Sequence, residues 1–194
     1  MPRVSRAVTE KNRAAIERVS ARLFREQGLQ GVSVADLMAA AGLTHGGFYG
    51  HFESKDALAT VACTKAFDEA VERWESRISA TTDRKSALTA LVNGYLSSRN
   101  RDMVGSGCPL AALATDVARE PVGKPVRNAY MAGLRRLLGV LNALQSNDNP
   151  KKDRSVALAQ LSTMVGALVL ARATKRHALS EQILAAAREN MLAA

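Results

Sequence analysis

The chain has 194 residues, of which 47% are hydrophobic, 23% charged and only 4% aromatic. That composition is ordinary for a globular protein and excludes disordered, collagen-like and coiled-coil chains. A formal charge of +9 points to a polyanionic partner, with nucleic acid first and an anionic membrane surface second. The two cysteines, Cys63 and Cys108, cannot build a disulfide framework. No charged-then-apolar leader opens the chain, so a reduced, cytoplasmic protein is expected.

The longest apolar run, Met164 to Ala171, falls well short of the ~20 residues that span a bilayer, so no transmembrane helix and no membrane partner are expected. Most of the positive surplus lies in residues 121–177. The first residues, with Arg3, Arg6, Lys11 and Arg13 against Glu10 alone, form a basic arm. Charge therefore motivates nucleic acid without naming the surface that meets it. The Lys151–Arg154 cluster reads first as a solvated face.

Apolar residues recur at three- and four-residue spacing throughout, and strict alternation is nearly absent. A first helix is predicted from about Thr9 to Gln27, with Ile16, Val19, Leu23 and Phe24 on one face and Gly28 as its stop. A second follows Ser33, with Val34, Leu37, Met38 and Ala41 inward, and breaks at Gly42. Thr44 opens a very short third helix reaching His51. Ser54 opens a fourth, carrying Leu58, Val61, Phe67, Val71, Trp74 and Ile78. Further helices are predicted around 88–96, 110–117, 126–141, 152–175 and 180–192, with a polar loop from Gln145 to Pro150. The expectation is nine helices and no strand. Between Val156 and Ala173 only Gln160, Ser162, Thr163 and Arg172 are polar. So broad an apolar surface needs cover on nearly all sides, which a second copy of the chain supplies most simply. Leu161, Val165, Leu168, Leu184 and Met191 are the expected dimerisation residues.

The second and third helices, joined at Gly42, have the spacing of a helix-turn-helix, whose second helix enters the major groove. That second helix, His45 to His51, carries three glycines in seven positions. Each costs about 1 kcal/mol relative to alanine in a helix, and the compensation is close approach of bare backbone to another surface. Phe48 and Phe52 should face inward against Phe24 and Leu37. Tyr49, His51 and Lys55 should meet phosphates, and His45 is best placed for a base edge.

The segment Gly28-Leu-Gln-Gly-Val-Ser through Ala41-Gly-Leu-Thr-His-Gly-Gly-Phe-Tyr-Gly-His-Phe-Glu-Ser-Lys-Asp-Ala-Leu58 resembles the DNA-binding domain of the TetR family of bacterial transcriptional regulators. The likeness covers about residues 9–58. It implies an all-α, two-domain fold, with a three-helix DNA-binding domain in residues 1–56 and an effector-binding and dimerisation domain in 57–194. It also implies a homodimer on double-stranded operator DNA, released by a small-molecule effector. By position it assigns His45, Gly46, Gly47, Tyr49, His51 and Lys55 to the DNA face. Arg3, Arg6, Ser33 and Thr44 complete the set of expected DNA contacts.

Catalysis finds no support in the sequence: no nucleophile elbow, phosphate loop, dinucleotide fingerprint or zinc-protease motif occurs. His45, His51 and His177 have no Cys or carboxylate at ligand spacing, so neither a metal nor a cofactor is expected. Cys108 precedes Pro109 at the start of a predicted helix, where partial positive charge favours a thiolate. That suits an electrophile sensor, although a small, half-buried residue without chemistry is the plainer reading. Trp74, Tyr95, Met103, Tyr130, Met131 and Met164 are candidates for an effector cavity, each also read as simple core. The leading expectation is a repressor released by a small-molecule or electrophile effector. An activator or nucleoid-type binder, a small all-α enzyme and a dimeric adaptor are its rivals.

Overall fold

A computed structural model describes residues 6–145 and 149–193. Local chemistry sets most helix ends. The first helix, α1 (Arg6–Gln27), closes where Gly28 takes φ +81° and donates its N–H to the Phe24 carbonyl, a conformation only glycine adopts without strain. It begins a turn earlier than expected, and an Arg6–Glu10 pair at 2.9 Å spans that turn, so Thr9 lies within the helix rather than capping it. Arg3 lies outside the described residues.

The second helix, α2 (Val34–Ala40), opens with a capping box. The Ser33 hydroxyl accepts from the Asp36 N–H at 3.1 Å, and the Asp36 carboxylate accepts from the Ser33 N–H at 3.0 Å. These bonds hold the Asp36 carboxyl below the usual range. Gly42, at φ +73°, turns the chain out of α2. The glycine-rich segment that follows is a 3-10 helix (His45–Gly50) rather than an α-helix. Its brevity and three glycines give too little propagation to sustain the wider turn.

The long third helix, α3 (Lys55–Ser79), is capped by Ser54, whose hydroxyl accepts from the Ala57 N–H. It runs unbroken from beneath the 3-10 helix into the far half of the molecule, and the boundary expected after residue 56 falls in its first turn. Next come α4 (Arg84–Tyr95), capped by Asp83, and a short α5 (Ser98–Asp102). A second 3-10 turn (Val104–Ser106) leads to α6 (Pro109–Arg119), with Cys108 at its N-cap and Pro109 in its first turn. The chain ends with α7 (Pro125–Ala143), α8 (Pro150–Ala173) and α9 (Ala178–Ala193). The described residues thus hold nine α-helices and two 3-10 helices, and no strand. Sequence periodicity misses α5 and the turn after it, because neither is long enough to show a repeat.

The helix α3 is the spine, with α1 packed on it at one end and α7 laid along it. The α3–α7 approach is close because Gly133 has no side chain. A Cβ there would lie 2.1 Å from the Phe67 ring.

The helix α8 divides its apolar surface in two. Ala157, Leu161, Met164, Ala167, Leu168 and Ala171 are buried within the protomer. The opposite stripe, which includes Leu158, Ala159, Gly166, Val169 and Leu170, is exposed. This corrects the expected dimerisation set. Leu161, Leu168, Leu184 and Met191 are covered by their own chain, and Val165 is half-buried against the same core. The periodicity was right, but two apolar faces share one helix, and only packing tells which turns inward. The expectation that no segment could span a bilayer also needs correction. By length and composition α8 qualifies, with a mean hydropathy of 1.6 over 18 residues. Scattered Ser and Thr shorten its uninterrupted runs but lower that average only modestly, and the inner half of this apolarity packs against α7 and α9.

Gly133→Ala should therefore lower stability by about 1–3 kcal/mol, as overpacked core sites do. Thermal denaturation should show a fall of several degrees, and an unchanged melting temperature would mean that α7 shifts freely on α3.

Candidate nucleic-acid interface

The 3-10 helix is held from one side only. Phe48 is fully buried and Phe52 is 4% exposed, their rings 6.0 Å apart. They join a core that includes Phe24, Leu37 and Met38, the inward face expected from sequence. The other side is bare. His45, Gly46, Gly47, Tyr49 and Gly50 are all exposed, Tyr49 by 70%.

The three glycines are not needed by the fold. None takes a positive φ. A Cβ at Gly46 or Gly50 would meet nothing within 4 Å, and one at Gly47 would only touch Met38 at 3.7 Å. Side chains would fit here, so their absence leaves a smooth outer surface rather than relieving an inner clash.

Tyr49 stands edge-on to Phe48 at 5.2 Å, which fixes its ring while the hydroxyl projects outward. Thr44 occupies the N-cap position, but its hydroxyl makes no capping bond. Lys55 begins α3 half-buried, beside a crevice also lined by Leu29 and Lys124. His51 is half-buried with its Nδ1 enclosed and unpartnered, leaving Nε2 as the ring's outward group. Arg6 is exposed but paired with Glu10. Ser33 differs from expectation: its hydroxyl also donates to Asp36 at 2.6 Å, so both its proton and a lone pair serve the cap of α2.

Sequence reasoning placed Arg13 in the basic arm and missed its contacts with the 3-10 segment. Its guanidinium lies 4.4 Å from the Phe52 ring centroid, donates to the His51 carbonyl at 2.6 Å and pairs with Glu17 at 3.0 Å. It thus ties α1 to the end of the 3-10 helix. No local pattern announces a contact 38 residues away along the chain.

The proposed effector residues divide. Trp74 and Tyr95 are buried edge to face at 5.8 Å, and Met164 is fully buried. Tyr130 stacks edge-on to Phe67 and donates to the Leu110 carbonyl at 3.2 Å. Met103 and Met131 are exposed instead, because each falls on the outer side of its segment. Cys108 is 4% exposed. It lies near Tyr95, whose hydroxyl burial pushes well above the ordinary phenol range, with Cys108 adding to the effect. Burial pushes the Cys63 thiol up to about 12, which leaves it a packing residue.

A capped helix, a glycine turn and a short second helix anchored inward and bare outward define a helix-turn-helix DNA-binding domain, carried on a larger helical body. Residues 16–61 match the family model of bacterial regulatory proteins, tetR family. The chain is 27% identical over 146 residues to the HTH-type transcriptional repressor KstR2 of Rhodococcus jostii (strain RHA1), covering 73% of this chain and 69% of that protein. It is 28% identical over 110 residues to the repressor DhaR of Mycobacterium sp. (strain GP1), 56% of this chain and 52% of that one, so the match spans about half of DhaR. The fold is shared with a TetR-family regulator from Cytophaga hutchinsonii, at a TM-score of 0.80, 22% identity and coverage of 99% and 97% of the two chains. A TetR regulator from Chloroflexus aurantiacus superposes with a TM-score of 0.79 at 24% identity, covering 96% and 95%. Residues 16–61 are thus of the tetR-family DNA-binding type, and the body that carries them shares the fold of TetR-family regulators.

With Tyr49 on a phosphate, as the sequence leads one to expect, Tyr49→Ala should weaken binding of any duplex about equally, because such a contact carries no sequence information. Fluorescence anisotropy against specific and scrambled fragments checks this, and loss confined to one base position would make Tyr49 a base reader instead.

Proposed function

We propose that the protein is a repressor that binds a near-palindromic operator as a homodimer and releases it when a small molecule binds the C-terminal domain. One observation carries the reading: a 3-10 helix fixed by two buried phenylalanines shows an outer face stripped of side chains although its backbone has room for them. A duplex groove is the surface that such bareness suits. Residues 1–56 are read as the DNA-binding domain and 57–194 as the effector and dimerisation domain. Thr44, Tyr49, His51, Lys55 and Arg6, with Arg3 on the arm, are assigned to phosphates, and His45 with Gly46 and Gly47 to the groove floor. The protein acts by binding, in the cytoplasm, where its DNA partner lies.

The exposed stripe on α8 is assigned to a second copy. In a TetR-like dimer this sets two recognition helices roughly 34–36 Å apart, one duplex turn. Of the two effector types expected from the sequence, a non-covalent ligand is favoured, because the Cys108 thiol is 4% exposed and a reagent would have to open the core to reach it. The likeness to KstR2 and DhaR, both named as repressors, supports repression over activation.

Genomic fragments captured by the purified protein, then sequenced, test the reading directly. An enriched inverted repeat is expected. Its affinity should fall steeply with salt, and Lys55→Ala should reduce the log–log slope by about 1. Absence of any enriched sequence, or a flat salt dependence, would overturn it.

Leu170 is 56% exposed in the protomer, so Leu170→Glu costs a lone chain little but buries a charge in a dimer. Sedimentation should find the variant monomeric, with its helical content intact. A variant that stays dimeric would move the interface elsewhere.

A further inference from the structure

Arg73 and Arg77 stand one turn apart on α3, and Arg99 lies on α5. The three line one cavity of about 290 Å³, with Ser97, Asn100 and Ser106. No carboxylate lines it. Other buried or half-buried arginines find acids or carbonyls: Arg25 holds Glu69 at 2.7 Å, Arg101 holds Asp102 at 2.9 Å, and Arg172 donates to the Asn100 and Arg101 carbonyls. Among the described residues the Arg77 and Arg99 side chains meet neither a hydrogen-bond acceptor nor an acid. Arg73 reaches only the Gly107 carbonyl, at 3.3 Å, and the acid beside it, Glu69, is already engaged by Arg25.

The arrangement is built rather than loose. Gly94 of α4 leaves room for the Arg77 guanidinium to lie against the backbone, and a Cβ there would fall 2.7 Å from its Nε and Cζ. Partial burial pulls Arg73 and Arg77 below the usual guanidinium range. Arg99 adds repulsion on Arg77, and Arg25 adds it on Arg73. Arg99 is exposed, but Arg73 and Arg77 are half-buried; converging, partly desolvated cations without a free counter-charge are costly, and an anion between them reduces that cost. Ser97 and Asn100 spend their donors on the Gly94 and Tyr95 carbonyls. The guanidiniums, with the Ser106 hydroxyl at the rim, are therefore the free donors, and the planar forks suit a two-oxygen acceptor.

We propose that this cavity is an oxyanion site, taking a carboxylate or phosphate group of a small molecule between Arg73, Arg77 and Arg99. Its volume suits one such group and a few further atoms. The site adjoins the junction of the two domains, because the Gly107 carbonyl accepts from both Arg73 and Arg25 of α1. Its use as the charged end of an effector site rests on the reading of the C-terminal domain as ligand-controlled, whereas binding of the anion does not.

Calorimetric titration of the full chain without DNA, at constant ionic strength in chloride, tests it with inorganic phosphate and with succinate. Saturable binding of at least one is expected, and the stronger of the two names the ligand chemistry. Arg77→Gln should weaken it at least tenfold. Gly94→Ala, which keeps the net charge but displaces the guanidinium, should do the same. Arg135→Gln, an exposed arginine of α7, should leave binding unchanged. Circular dichroism checks folding, and Arg99→Gln replaces Gly94→Ala if that variant does not fold. No saturable binding, or equal loss in Arg135→Gln, or no loss at the cavity residues, would overturn the proposal. With DNA absent, that failure leaves operator binding untouched, and a failed operator capture leaves this measurement standing.

Discussion

The recognition element depends on the burial of Phe48 and Phe52. A six-residue 3-10 helix with three glycines has almost no stability of its own. It holds its place because two aromatic rings of that segment are driven into the core beside Phe24, Leu37 and Met38, each worth about 1.5–3 kcal/mol of apolar transfer. Those anchors free every other position of the helix from structural duty. The outer face could then be left nearly flat, with Tyr49 braced on Phe48 as its tallest feature.

The same short element must be coupled to the rest of the chain, and α1 does this at both ends. Near its start Arg13 lies over Phe52 and bonds the His51 carbonyl. Near its end Arg25 is buried, paired with Glu69 of α3 and bonded to the Gly107 carbonyl before α6. The helix α1 is thus clamped to the recognition element at one end and to the C-terminal body at the other. Buried ion pairs of this kind contribute little net stability, but their geometry is strict. A shift of the segment around Gly107 would therefore be felt by α1 through Arg25.

Much of the DNA-binding half was legible in the sequence because its determinants are local. Ser33 with Asp36, Gly28, Gly42 and Ser54 act within four residues of themselves, and the structure uses each as a cap or a stop. The inward pair Phe48 and Phe52 followed from spacing alone. The C-terminal half was less legible. Met103 and Met131 look like cavity residues in the sequence, yet they are exposed. Leu161, Leu168, Leu184 and Met191 look like an interface, yet they fill their own core. Arg73, Arg77 and Arg99 drew no notice, since three arginines spread over 27 positions converge only once α3 and α5 are placed.

The sequence by itself determined the helices and most of their ends, the bare turn, and the identity of the DNA-binding domain, because periodicity, capping and glycine stereochemistry operate over one or two turns of chain. Tertiary structure alone decided which of the two apolar faces of α8 turns inward, that Ser33 is consumed by its cap, and that Arg13 and Arg25 tie α1 to distant carbonyls. Those outcomes depend on which surfaces exclude water together, and that is a property of packed helices rather than of any single one.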